Sequence, residues 1–158
     1  MTSLAGCMVS VTGVPASTHL TDGNITSVEN LNVIVDDIKK TSTVENLEAF
    51  QLRWDEDNDH MEAQYDVIIC ADCLFFKESS EKLVNLIHKL LRPQGKAFIV
   101  APHREGTFDH FRSLAEPFFT VEEVADYSKE VTKAHESCLS EPGYNPDIHY
   151  PKLMVLNK

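Results

Sequence analysis

The chain has 158 residues, 42% hydrophobic and 25% charged, which suits one domain with a core and is too short for two. Its formal net charge of -11 argues against sequence-independent nucleic-acid binding, which needs a dense basic face. No apolar run approaches the ~18 residues of a membrane helix, and Met1–Gly6 lacks the basic-then-apolar pattern of a signal peptide, so neither nucleic acid nor membrane is an expected partner.

In chain order, residues 3–12 read as a small-residue helix and His19–Thr21 as a short strand. Asp22-Gly23-Asn24 is a turn signal. A helix follows from Ile25, with Val28, Leu31, Ile34, Val35 and Ile38 at helical spacing and Asn24 as its N-cap. Residues 50–54 alternate as a strand ending on Trp54, and residues 55–60 form an acidic, solvated loop. Tyr65–Ala71 is the strongest strand, apolar on both faces as if covered by helices on each side. Leu83, Val84, Leu86, Ile87, Leu90 and Leu91 mark an amphipathic helix of about three turns, stopped at Arg92-Pro93-Gln94-Gly95. Residues 96–102 give another buried strand, Phe108, Phe111, Leu114 and Ala115 a helix face, and residues 118–121 a strand. Residues 128–147 read as a polar helix or loop insertion before a last strand over 152–156, which lacks a full crossover helix and is open to an antiparallel course. The alternation predicts an open, largely parallel α/β sheet.

Four cysteines, Cys7, Cys70, Cys73 and Cys138, show no secreted-staple pattern and fit free thiols in the cytoplasm and nucleus. Cys70-Ala71-Asp72-Cys73 has the spacing of a zinc or redox pair. Zinc would need a second pair of ligands, and the seven histidines are scattered singly, so no metal is expected. Asp72 inside the pair would raise the thiol pKa values and weaken redox chemistry.

Ligands of open α/β sheets bind beyond the carboxyl ends of the strands. That rule selects Asp22, Trp54, Ala71-Asp72 and the stretch Pro102-His103-Arg104. Asp22 is either an acceptor for two ribose hydroxyls or a plain Asp-Gly turn. Trp54 is either an indole face for an adenine or a core tryptophan. Asp72 is either a helix N-cap or a functional acid.

The blocks Leu20-Thr21-Asp22-Gly23-Asn24, Leu52-Arg53-Trp54-Asp55, Cys70-Ala71-Asp72-Cys73-Leu74-Phe75 and Leu90-Leu91-Arg92-Pro93-Gln94-Gly95-Lys96-Ala97 resemble the seven-strand protein-lysine methyltransferases. Asn145-Pro146-Asp147-Ile148 and His149-Tyr150-Pro151 narrow the resemblance to the calmodulin-lysine N-methyltransferases. It implies a class I methyltransferase fold, Rossmann-like, with helices on both faces of a mostly parallel sheet, and S-adenosyl-L-methionine as cofactor. It implies that Asp22, Trp54 and Ala71 bind that cofactor, and that Asp72 and Phe75 form the acid-x-x-aromatic motif bordering methyl transfer. Many relatives have tyrosine at the place of Phe75, which lacks the hydroxyl. With calmodulin as substrate, two acidic partners would repel, and His103 and Arg104 are the expected local basic contact, against the alternative that Arg104 only solvates a loop.

By the same resemblance, the family's first, central strand and its glycine-rich loop should precede Met1. The glycines at 6, 13, 23, 95, 106 and 143 are too widely spaced for a cofactor cradle. Residues 1–158 are therefore expected to be a single, N-terminally incomplete S-adenosylmethionine-dependent methyltransferase domain, weak or inactive by itself. Two functions are open: a protein-lysine N-methyltransferase acting on calmodulin, in the complete parent, and a non-catalytic interaction module that keeps part of the fold.

Overall fold

Small residues at the start of the chain form α1, Leu4–Val11, in the computed structural model, which describes residues 4–158; residue 3 of the expected helix lies outside the described residues. Gly6 is what lets α1 approach the first strand, because a Cβ there would meet Leu20 Cδ2 at 2.5 Å. That strand, β1 (Thr18–Asp22), leads into α2 (Ile25–Thr41), and β2 (Leu47–Gln51) returns parallel to β1. Asn24 caps α2 by accepting a hydrogen bond from the Thr26 amide at 2.9 Å, as its position predicts. Cys7, Leu20, Leu31, Val35 and Leu47 form the core of this first unit, residues 1–56.

The expected strand over 50–54 is displaced. Pairing with five-residue β1 begins at Thr18↔Leu47 and ends at Asp22↔Gln51. The Leu52 amide then donates to Asp22 O at 3.1 Å, the ladder is used up, and Trp54 falls in a turn.

Residues 57–158 form the second unit. A 3₁₀ turn, Asp59–Met61, precedes β3 (Tyr65–Ala71), α3 (Lys77–Leu90), β4 (Leu91–Ala101) and α4 (Thr107–Ala115). Then follow β5 (Thr120–Val124), α5 (Lys129–Cys138), α6 (Pro146–His149) and β6 (Lys152–Asn157). The sheet order is β3-β4-β6-β5. β3 and β4 are parallel, whereas β6 is antiparallel to both β4 and β5. The sheet is thus mixed, with β6 the strand that runs against the rest, as the missing crossover signal before it allows.

The core of this unit follows two periodicities. Ala97, Ile99 and Ala101 alternate inward on β4, and Leu83, Val84, Leu86, Ile87 and Leu90 line one side of α3. Phe108 and Phe111 of α4 are fully buried, each contributing about 1.5–3 kcal/mol. α3 begins six residues before Leu83, at Lys77: its first turns are polar, and of them Ser80 is buried on the same side as Leu83 and Val84.

The expectation that β3 is covered on both faces does not hold. Val67 is 51% and Ile69 39% exposed. Among the described residues β3 pairs only with β4, so it is an edge strand, and the face carrying Val67, Ile69 and Ala71 is open. The acidic loop, expected to be solvated, is largely exposed and is tethered as well: Lys89 of α3 pairs with Asp57 at 3.4 Å and also with Asp59. No helix among the described residues is long and apolar enough to cross a membrane.

Candidate functional site

In residues 1–56 the candidate positions gather at the carboxyl ends of β1 and β2. Asp22 ends β1, is half-buried, and its Oδ1 accepts from the Asn24 amide at 2.8 Å. The turn geometry is therefore real, and it fixes the carboxylate at the strand end. Gln51, opposite Asp22 in register, donates from Nε2 to Gly23 O at 2.9 Å, which ties the two strand ends together. Trp54 follows β2 by three residues and is half-buried. A carboxylate and a partly exposed indole at neighbouring parallel strand ends fit a nucleoside, the acid matching vicinal hydroxyls and the indole a purine face.

In residues 57–158 the candidate residues converge after β3. Ala71 is exposed at the strand end, and the Asp72 amide still donates to Val100 O of β4 at 2.7 Å. Asp72 then takes φ 51°, a left-handed conformation that only Asp, Asn and Gly adopt readily. Asp72 is not a helix cap: α3 is capped at Phe76, whose side chain makes no capping bond. The turn instead aims the carboxylate at the loop after β4. Arg104 Nη2 lies 2.9 Å from Asp72 Oδ1, and its guanidinium carbon lies 4.5 Å from the centroid of the Phe75 ring. The ion pair is coulombic and lies off hydrogen-bond angles. Among the described residues, Asp72 Oδ1 and Arg104 Nη1 are buried atoms with no hydrogen-bond partner.

The loop that delivers Arg104 is held by two carboxylates. His103 Nδ1 lies 2.6 Å from Asp147 Oδ1, and His103 Nε2 lies 2.8 Å from Asp109 Oδ2. The bond to Asp147, then that to Asp109, raises the imidazole pKa above its ordinary value. The bond to His103 lowers the Asp147 carboxyl, with the Glu105 amide helping. Asp147 also takes the Glu105 amide on Oδ2 at 2.8 Å, and its carbonyl takes the Arg104 amide at 2.7 Å. These bonds hold Arg104 and Glu105 at φ 45° and 52°, strained values for both side chains. Asp147 and Asp109 were not singled out as site residues in the sequence. The signal for Asp147 was the Asn145-Pro146-Asp147-Ile148 block, whose Asn145 caps the Asp147 amide at 3.0 Å.

Cys70 and Cys73 flank the acid as thiols. A hydrogen bond with Cys70, then burial, and last the Asp72 charge push the Cys73 thiol far above its usual range, so a thiolate there is disfavoured. Among the described residues no group of three or more histidine, cysteine or acidic side chains could hold a metal ion.

The sequence profile of the lysine methyltransferase family matches residues 2–120. The chain is 23% identical over 164 aligned positions to a calmodulin-lysine N-methyltransferase of Arabidopsis thaliana, covering 97% of this chain and 53% of that protein. It thus spans about half the length of that relative. Among solved structures it is similar to the YcgJ protein of Bacillus subtilis, with TM-score 0.65 and 11% identity over 98% of this chain and 88% of that one. It is also similar to a TehB-like S-adenosylmethionine-dependent methyltransferase of Corynebacterium glutamicum, with TM-score 0.64 and 18% identity over 97% and 73%. The fold is that of the class I methyltransferases, with a mixed sheet and flanking helices.

Proposed function

The chain belongs to the lysine methyltransferase family, and from that premise we propose that the whole protein carrying it transfers methyl groups from S-adenosyl-L-methionine to a lysine of calmodulin. The observation that carries the reading is the cation held at the carboxyl end of β3, between the Asp72 carboxylate and the Phe75 ring. A lysine ammonium asks for the same two partners. Calmodulin as the protein substrate is supported by the 23% identical relative of that name.

Asp22 and Trp54 would hold the ribose and adenine of the cofactor, and Ala71, small and exposed, leaves the end of β3 open. The cofactor supplies, when bound, a methyl group on a sulfonium that leaves as a neutral thioether. The amine nitrogen forms the new N–C bond with its lone pair, so it must first lose a proton. For a lysine of ordinary pKa at neutral pH that costs roughly 4–5 kcal/mol. Asp72 and the face of the Phe75 ring favour the charged amine and so seat it. Exclusion of water, once the ammonium proton has left to solvent, favours the neutral form that attacks. Phe75 has no hydroxyl, so it orients and desolvates without relaying the proton.

We place the activity in a longer form of the protein. Among the described residues β1 pairs only with β2 and β3 only with β4, and further backbone at those edges would satisfy their remaining donors and acceptors. Mass spectrometry of calmodulin incubated with the whole protein and cofactor tests the proposal. Added methyl groups on one lysine are expected. Methylation of a different protein would overturn the substrate, and no binding of S-adenosylhomocysteine by calorimetry would leave the non-catalytic module.

A further inference from the structure

Asp72, Phe75 and Arg104 lie on two separate loops, and their meeting is arranged at some cost. Asp72 sits at φ 51°, which aspartate tolerates, and Arg104 at φ 45° and Glu105 at φ 52°, both in the region that such side chains avoid. Gly106 continues the run at φ 81° before α4 begins. A loop serving only as a connector has no need of two successive strained side-chain residues. Here they turn the Arg104 side chain inward, to 23% exposure, in a position that in a solvated loop would face water.

What receives Arg104 is a seat with two walls, the Asp72 carboxylate 2.9 Å from Nη2 and the Phe75 ring 4.5 Å from the guanidinium carbon. The fit is incomplete. Asp72 Oδ1 and Arg104 Nη1 stay buried without hydrogen bonds among the described residues, whereas a guanidinium that belonged there structurally would be expected to reach the carboxylate as a fork. We propose that Asp72 and Phe75 form a seat for an alkylammonium or guanidinium side chain, and that Arg104 is its displaceable resident, which an incoming cationic side chain must expel. The inference deepens the proposed reading of Asp72 and Phe75, from residues bordering a transfer site to a site already filled by the chain's own cation.

The latch on that resident is Asp147. Its side chain holds His103 and the Glu105 amide, and its carbonyl holds the Arg104 amide. Asp147 is thus a positioning residue that sets how firmly Arg104 is seated. An occupied seat lowers the apparent affinity for an outside cation by the fraction of molecules in which it is open. Exchange of one cation for another leaves the charge balance of the seat unchanged, so displacement creates no unpaired carboxylate.

The test is titration of the 158-residue chain with N-methylguanidinium, read by nuclear magnetic resonance at the Phe75 ring and the Asp72 amide. Arg104→Ala is expected to bind the probe saturably and about tenfold or more tighter than the unaltered chain, and adding Asp72→Asn should remove that gain. Asp147→Asn should give a smaller gain with Arg104 still present. Arg104→Gln, close in length but neutral, repeats the comparison if Arg104→Ala does not fold. Equal shifts in the unaltered chain and both Arg104 variants would overturn the proposal, as would a gain that survives Asp72→Asn. Unfolding of both Arg104 variants would overturn it too, because Arg104 would then be an anchor. The readout needs no methyl transfer: failed methylation with intact displacement sinks the enzymatic reading alone, and the reverse sinks only the displaceable resident.

Discussion

His103 on the loop after β4 and Asp147 on α6 are joined through Nδ1 and Oδ1 at 2.6 Å, a contact between residues that the sequence holds far apart. Asp109 closes the other side of the ring at 2.8 Å. The two carboxylates facing the imidazole come from α4 and α6, and both favour its charged form. The pair therefore gives the fold a pH signature.

The sign follows from the two shifts. His103 is raised from 6.5, so its contribution is complete below 6.5 and is lost as pH rises through the higher folded value. Asp147 is lowered from 3.8, so its contribution is complete above 3.8 and is lost as pH falls through the lower folded value. The clamp is at full strength between these values. Thermal unfolding of His103→Gln against the unaltered chain should show the largest deficit at about pH 5–6, shrinking toward pH 9. A deficit that does not change over that range would mean the ring contributes packing and not charge.

At the nucleotide end, Asp22→Ala in the whole protein should weaken S-adenosylhomocysteine binding by about 2–3 kcal/mol, roughly 30- to 150-fold, the loss expected for charge-assisted hydrogen bonds. Phe75→Ala should change that affinity less and turnover more, since Phe75 faces the cation seat. Calorimetry separates the two. Equal affinity for the unaltered protein and the Asp22 variant would reduce that carboxylate to its bond with the Asn24 amide.

The β3–β4 register shifts between Tyr65↔Leu91 and Val67↔Lys96, and Gly95 lies in the bulge. A Cβ there would stand 2.9 Å from Arg92 O and 3.2 Å from Asp66 O, both backbone atoms that cannot rotate away. Gly95→Ala should cost about 1–3 kcal/mol in urea unfolding, the range for forced overpacking. A neutral substitution would show that the bulge relaxes.

Elements with strong periodicity are legible in the sequence alone: Val28, Leu31 and Val35 mark α2, and the apolar run Tyr65–Ala71 coincides with β3. What could not be read was set by partners. The end of β2 depends on the length of β1, and the exposure of Val67 and Ile69 depends on what packs over that face of β3, neither of which is a local property of those residues. The same holds at the site. Strand-end position and resemblance both single out Asp72, and resemblance alone singles out Phe75. The Arg104 guanidinium between them depends on backbone angles of 45° and 52° that no local propensity of Arg-Glu predicts. Its basic charge suggested an outward-facing contact, whereas the fold turns it onto Asp72.

The last prediction separates the charge of Asp72 from its backbone. Left-handed φ at this position costs a residue such as alanine about 1 kcal/mol or more, and is easier for asparagine and free of that strain for glycine. Asp72→Asn and Asp72→Gly should therefore unfold at higher temperature than Asp72→Ala, even though all three have lost the ion pair with Arg104. Methyl transfer by the whole protein should respond differently. In the proposed mechanism a carboxylate seats the cationic amine, and none of the three substitutions supplies one. Turnover should therefore fall alike in all, by roughly 10²-fold, as for a lost charge-assisted contact of about 2–3 kcal/mol. Affinity for S-adenosylhomocysteine should be much less affected, since the proposed nucleoside contacts are Asp22 and Trp54. Thermal melts, calorimetry and turnover measured on the same three variants give the answer. Turnover that ranks with stability, recovering in Asp72→Gly or Asp72→Asn, would make Asp72 a turn residue whose charge is incidental.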